Sequence, residues 1–369
     1  MREMENRGLL TRTETAALRG VAILGIILHN YCHFLGFAVK ENEYKFDAGR
    51  PMQFFEKLLS LDKDLFIHIF SFFGHYGVPV FLFISGYGLV KKYESSPQRT
   101  SPLPFTAYHF LKLFRLMIIG YLVFIGVYLL RHNDGAQVYS WDRVLTQLTM
   151  TINFMYFDPD HIIKPGPYWY FGLTLQLYIL YVLVIHRWRN SKVLAVLAIG
   201  SLLAEALCVN APDWLNSIRY NFVGGLLPFC LGVWISRNEH LAACSRTGYL
   251  AVAVVSALAV LFGSMTFWSW LIVPLLIVTG AVATVRLLSP QSGEGSKNSL
   301  LGVLAWVGGI SSALFVMHPV MREIIIGHYR KIDIYGGIAV YLLASVALAM
   351  LLQWVLQFVP SPKLKKRNG

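Results

Sequence analysis

The stretch Ala16-Ala17-Leu18-Arg19-Gly20-Val21-Ala22-Ile23-Leu24-Gly25-Ile26-Ile27-Leu28-His29-Asn30-Tyr31-Cys32-His33-Phe34-Leu35-Gly36-Phe37 decides the class of this protein. It is long enough to cross a bilayer, which takes about 20 apolar residues. It nevertheless carries one guanidinium and two imidazoles. An ionisable group in hydrocarbon costs a few kcal/mol, so its retention marks a task rather than an anchor. The axial rise from Arg19 to His29 is roughly 15 Å. That spacing predicts Arg19 near the cytoplasmic face and His29 around mid-membrane.

The rest of the chain agrees with a membrane home. Of its 369 residues, 56% are hydrophobic and 14% charged, with a mean hydropathy of +0.53. A soluble chain has about a quarter charged residues. Ten apolar runs recur near 16–37, 70–90, 109–130, 168–187, 192–210, 218–236, 248–265, 268–287, 301–323 and 334–358. They predict an all-α, polytopic bundle of about ten transmembrane helices forming one domain over 1–369. An eleventh segment, 141–157, has apolar residues at helical spacing with polar ones between, and reads as interfacial or re-entrant.

Ten spans put both termini on one side. Nineteen of the 32 Lys and Arg fall on that side and twelve on the other, with Arg19 inside a span. The positive-inside rule then places both termini in the cytoplasm of a multi-pass protein of the cytoplasmic (inner) membrane. The long 38–65 and 131–167 connections face outward, residues 293–296 read as a short linker, and no cleavable signal peptide is expected. The four cysteines show no paired spacing, which excludes a disulfide framework and a zinc-finger pattern. The net charge of +12 is spread between apolar runs, which argues against a nucleic-acid partner.

Several side chains stand out against this background. His29 is suited to general-base chemistry, its plainer alternative being a bundle histidine bonded to a carbonyl. His33 shares its face one turn on. Ser85 and Gly86 lie near the inner end of the second run, where close helix packing accounts for Gly86 as well as a ligand contact does. Lys112 and Arg115, one turn apart, suit phosphate binding, although positive-inside flanking also produces such a pair. Trp169 belongs to an aromatic belt and Gln176 lies deeper. Glu205 and His318 are ionisable groups near the outer ends of their helices.

Four stretches in order give the chain a wider likeness: Leu18-Arg19-Gly20 leading to His29; Gly77-Val78-Pro79-Val80-Phe81-Leu82-Phe83-Ile84-Ser85-Gly86-Tyr87; Tyr168-Trp169-Tyr170-Phe171 through Gln176-Leu177-Tyr178; and Ile310-Ser311 through His318-Pro319. Over nearly its whole length the chain resembles the membrane-bound acyltransferase family 3. The resemblance implies transfer of an acyl group, usually acetyl, from cytoplasmic acyl-CoA (acetyl-CoA) to a hydroxyl of an extracytoplasmic glycan or lipid-linked sugar, with no metal. It implies donor contact by Arg19, a role in transfer for His29, and an Arg-x-x-Arg counterpart at Lys112 and Arg115. Three departures accompany it. Nine residues rather than ten separate Arg19 from His29, so Asn30 holds the usual position. Pro79 replaces an Asp, and Thr174 replaces a Glu, leaving Glu205 or His318 as candidate acids. A different class, a proton-coupled transporter of an anionic solute using Arg19, His29 and Glu205, remains an alternative at this point.

Overall fold

The computed structural model describes residues 9–95, 100–289 and 299–363, and the expected 293–296 linker lies outside them. The described residues form helices and connecting turns, with no strand among them. Along the chain the principal helices are α1 (Arg12–Cys32), α2 (Gly49–Leu59), α3 (Leu65–Phe73), α4 (Gly77–Tyr93), α5 (Pro102–Arg131), α6 (Trp141–Leu148), α7 (Trp169–Leu180) and α8 (Ser191–Leu207). They continue with α9 (Pro212–Tyr220), α10 (Phe222–Arg237), α11 (Arg246–Gly263), α12 (Val273–Leu288), α13 (Ser299–Gly309), α14 (Ser311–Tyr329) and α15 (Ile334–Phe358).

The protein is a polytopic helical membrane protein. Among the described residues, six helical segments are long and apolar enough to cross a bilayer, or up to eight if the bent pairs α9–α10 and α13–α14 each count as one span. The remaining two of the ten apolar runs become α8, of 17 residues, and α12, of 16. Apolar side chains stand outward on the long helices, with Leu130 of α5 87% exposed and Phe262 of α11 65% exposed. Such faces fit lipid, where only self-satisfied helical backbone is stable.

The chain divides into two compact units. The first comprises Met1–Ser95, Leu194–Ala206 and Leu226–Ser311. Its axis is α1, which starts at a capping box: the Thr11 side chain accepts from the Glu14 N–H, and the Glu14 carboxylate accepts from the Thr11 N–H. Glu14 also takes a 2.6 Å ion pair from Arg286 of α12, so the cap ties two helices together. Glycines bring backbones close on two sides of α1. A Cβ on Gly20 would meet the Leu304 carbonyl of α13 at 2.0 Å, and one on Gly77 of α4 would meet the Ala22 carbonyl at 2.3 Å. This is packing through small residues, the usual mode where lipid supplies no hydrophobic drive.

The helix departs from the 16–37 reading at both ends. The capping box starts it four residues early, and it closes at Cys32, where the chain turns through Phe34–Leu35–Gly36 and Lys40 binds the freed carbonyls of His33 and Leu35. His29 therefore lies in the last turn of its helix rather than near the middle of a span.

The second unit comprises Ser96–Val193, Leu207–Gly225 and Ser312–Gly369. The 141–157 segment belongs to it and is too short to span: α6 has eight residues and a second helix, Ile152–Met155, has four, with Met150 at φ 58° between them. Their polarity is inverted. Trp141 and Phe154 are exposed, whereas Gln147 and Asn153 are buried and donate to the carbonyls of Tyr168 and Trp169.

Candidate active site

His29 is held from two directions. A Cβ on Gly74 would lie 2.5 Å from the Gly25 carbonyl and 2.7 Å from the His29 Cβ, so the Gly74–Tyr76 turn fits against α1 only as glycine. Just before that turn, the Ser71 carbonyl accepts a 3.0 Å hydrogen bond from His29 Nδ1. The bond fixes the tautomer: Nδ1 carries the hydrogen, and Nε2 carries the lone pair. His75, also buried, sets its ring edge-on to His29 at 5.6 Å between centroids.

The other wall comes from the 33–48 loop. Ser71 Oγ donates to the Val39 carbonyl at 2.7 Å, and His68 Nδ1 accepts the Val39 N–H at 3.2 Å. Farther along, the buried Trp270 donates Nε1–H to the Asn42 carbonyl at 2.7 Å. Between these anchors the loop turns two carboxylates inward. Glu41 Oε2 lies 2.6 Å from His33 Nδ1, and Glu43 Oε2 lies 4.0 Å from His29 Nε2. Burial acts to raise the Glu41 carboxyl. The hydrogen bond from His33, with the other imidazoles close by, outweighs it and holds the carboxyl well below the usual carboxylate range. Burial also lowers the Lys40 ammonium.

This arrangement suits proton transfer. A lone pair on an oriented imidazole can accept a hydroxyl proton, and a carboxylate nearby stabilises the imidazolium that results. His29 and His33 were expected from the sequence, and the structure brings them together with rings 5.2 Å apart. Glu41, Glu43, Ser71 and His75 were not assigned a role. The available signal was an acidic pair in the loop about ten residues beyond the end of α1.

The remaining expected residues of the first unit sit elsewhere on it. Arg19 is exposed on α1, flanked by buried Leu18 and Gly20, so the anticipated buried guanidinium is instead accessible from outside the packed core. Gly86 is a packing residue: its Cβ would lie 2.3 Å from the Phe229 carbonyl of α10, and half-buried Ser85 precedes it. Glu205 is buried in α8.

In the second unit, Lys112 is exposed, while Arg115 donates to the carbonyls of Leu356 and Val359, the latter at 2.7 Å. That is a cation on the C-terminal carbonyls of α15, satisfying groups the helix leaves open. Buried Trp169 packs on Tyr220, and the Gln176 carbonyl oxygen accepts the Phe222 N–H at 2.8 Å. His318 is fully buried with Nδ1 3.1 Å from the Leu314 carbonyl of its own helix. Thr174 is buried, with no hydrogen-bond partner for its hydroxyl among the described residues.

No curated protein and no solved structure matches the chain. The acyltransferase-domain model of one family does match, over residues 16–356, which covers α1 beyond its first turn, His29 and His33, the carboxylate loop and nearly all of α15. The chain belongs to the acyltransferase 3 family.

Proposed function

We propose that this membrane acyltransferase moves an acetyl group from acetyl-CoA to a hydroxyl of a glycan or lipid-linked sugar outside the cytoplasm, with His29 as the general base. The observation that carries the reading is the pairing at one imidazole: Nδ1 is fixed on the Ser71 carbonyl while Nε2 looks toward Glu43 at 4.0 Å. His29 Nε2 takes the proton of the acceptor hydroxyl as its oxygen attacks the thioester carbonyl. The carbon–sulfur bond then breaks, and the imidazolium returns the proton to the departing CoA thiolate. Direct transfer needs no acyl-enzyme. Glu43 steadies the charge on the ring, and Glu41 holds His33 alongside.

The exposed Arg19 and Lys112 are assigned to the anionic donor, which cannot enter hydrocarbon. Ser85 is assigned as a donor contact beside Gly86, whose own role is close packing on α10. Trp169, Gln176, Glu205 and His318 are assigned supporting positions, with the acceptor side as their expected place. Both termini are assigned to the cytoplasm of the inner membrane.

The test uses purified full-length protein with labelled acetyl-CoA and the glycan fraction of the source cells. Label is expected in the glycan, and mass spectrometry of cells lacking the gene should show one acetyl mass lost. Full transfer by the His29→Ala variant overturns the base assignment, and transfer of a heavier acyl group overturns the acetyl assignment.

A further inference from the structure

The end of α1 and its loop also assemble a set of metal-ligating groups around the imidazole assigned to acyl transfer. His29 and His33 stand one turn apart, a spacing at which two imidazoles on one helix face share one metal ion. Glu41 adds a carboxylate. One ligand atom from each of the three lies within 4.8 Å of the other two. His29 has the support typical of a ligating imidazole, because its second nitrogen is bonded to a backbone carbonyl. Glu43 Oε2, 4.0 Å from His29 Nε2, supplies a further oxygen within reach.

Local charge favours a cation. Two carboxylates turn into the cluster, while the Lys40 ammonium is directed to the His33 and Leu35 carbonyls and Arg50 to the Glu41 carbonyl. His33, with 31% of its side chain exposed, gives a way in from solvent. Two imidazoles with one carboxylate suit zinc, whereas calcium and magnesium prefer all-oxygen sets.

We propose that His29, His33 and Glu41 bind one divalent transition ion of the zinc class, and that the ion occupies His29 Nε2 and so silences the transferase. The binding half stands on the ligand geometry alone; the silencing half rests on the reading of His29 as base. Binding displaces any proton on the two imidazoles, leaves Glu41 ionised and forms no covalent product.

The experiment takes full-length protein in detergent, strips it with a chelator and titrates it with zinc chloride by equilibrium dialysis. One zinc per chain is expected at micromolar free ion, lost in His33→Gln and in Glu41→Gln and kept in His240→Gln, an exposed histidine elsewhere. A second measurement avoids variants: zinc should protect His29 and His33 of the unaltered protein from diethyl pyrocarbonate, read by peptide mass spectrometry. No binding in that range, binding kept in both ligand variants, or no protection of these two histidines overturns the site.

In parallel, acetyl transfer should fall at least about 100-fold with one zinc bound, the scale of losing a general base, and return with chelator. Transfer that is unchanged or raised at one bound zinc overturns the silencing. Stripped protein that transfers nothing refutes the acyl-transfer reading and the silencing with it, while dialysis alone still decides the binding.

Discussion

At His29 the two ring nitrogens have different neighbours, so a substitution can separate chemistry from fold. In His29→Gln the amide can still donate to the Ser71 carbonyl, while the lone pair aimed at Glu43 is gone. The expected outcome is a loss of about 10²–10⁴ in kcat with little change in thermal unfolding, checked by single-turnover kinetics beside a melting curve. Glu41 offers a prediction about pH. Its carboxyl ionises more readily in the folded protein than in the unfolded chain, so its stabilising contribution is present above the unfolded pKa and is lost as pH falls toward the folded one. Glu41→Gln should therefore melt earlier than the parent at neutral pH, by on the order of 1 kcal/mol. The gap should narrow below about pH 4, as melting curves across pH will read. The histidines were legible in the sequence because an ionisable group in an apolar run violates the solvent around it. The carboxylates were not, because their loop has no periodicity and is closed by contacts such as Trp270 to Asn42, 228 residues apart.

The helices themselves were legible as elements, since each apolar run returned a helix or a bent pair. Their ends were less so. Hydropathy does not register a capping box, and α1 extends four residues ahead of its apolar stretch because Thr11 and Glu14 satisfy each other's backbone. Nor does it register close approach. Gly74 reads as an ordinary small residue, yet its hydrogen occupies the only space between the Gly25 carbonyl and the His29 Cβ. Gly74→Ala should cost about 1–3 kcal/mol as an overpacking change and lower transfer by moving the imbedded imidazole. Gly36→Ala, where an added Cβ meets nothing within 4 Å, should leave both measurements close to the parent. Comparing the two variants by melting temperature and kcat checks the assignment of strain to the helix contact rather than to glycine loss in general.

For the whole molecule, hydropathy gave the class and left the count of crossings to the bends. Six or eight spans, or the ten apolar runs, return the chain to its starting side, whereas counting one bent pair alone gives seven and leaves the ends on opposite sides. With both termini assigned to the cytoplasm as proposed above, reporters that fluoresce only there are expected to be bright at both ends of the protein, and a dark signal at one end would require an odd number of crossings. The grip of Arg115 on Leu356 and Val359 carries a practical corollary for such fusions. A tag appended beyond residue 363 leaves that grip untouched, whereas a deletion cutting back to Gln357 strips Val359 from the guanidinium and frays the end of α15. Shortened versions made for crystallisation should accordingly keep Val359, and ones that stop earlier should show faster protease cleavage near their new end.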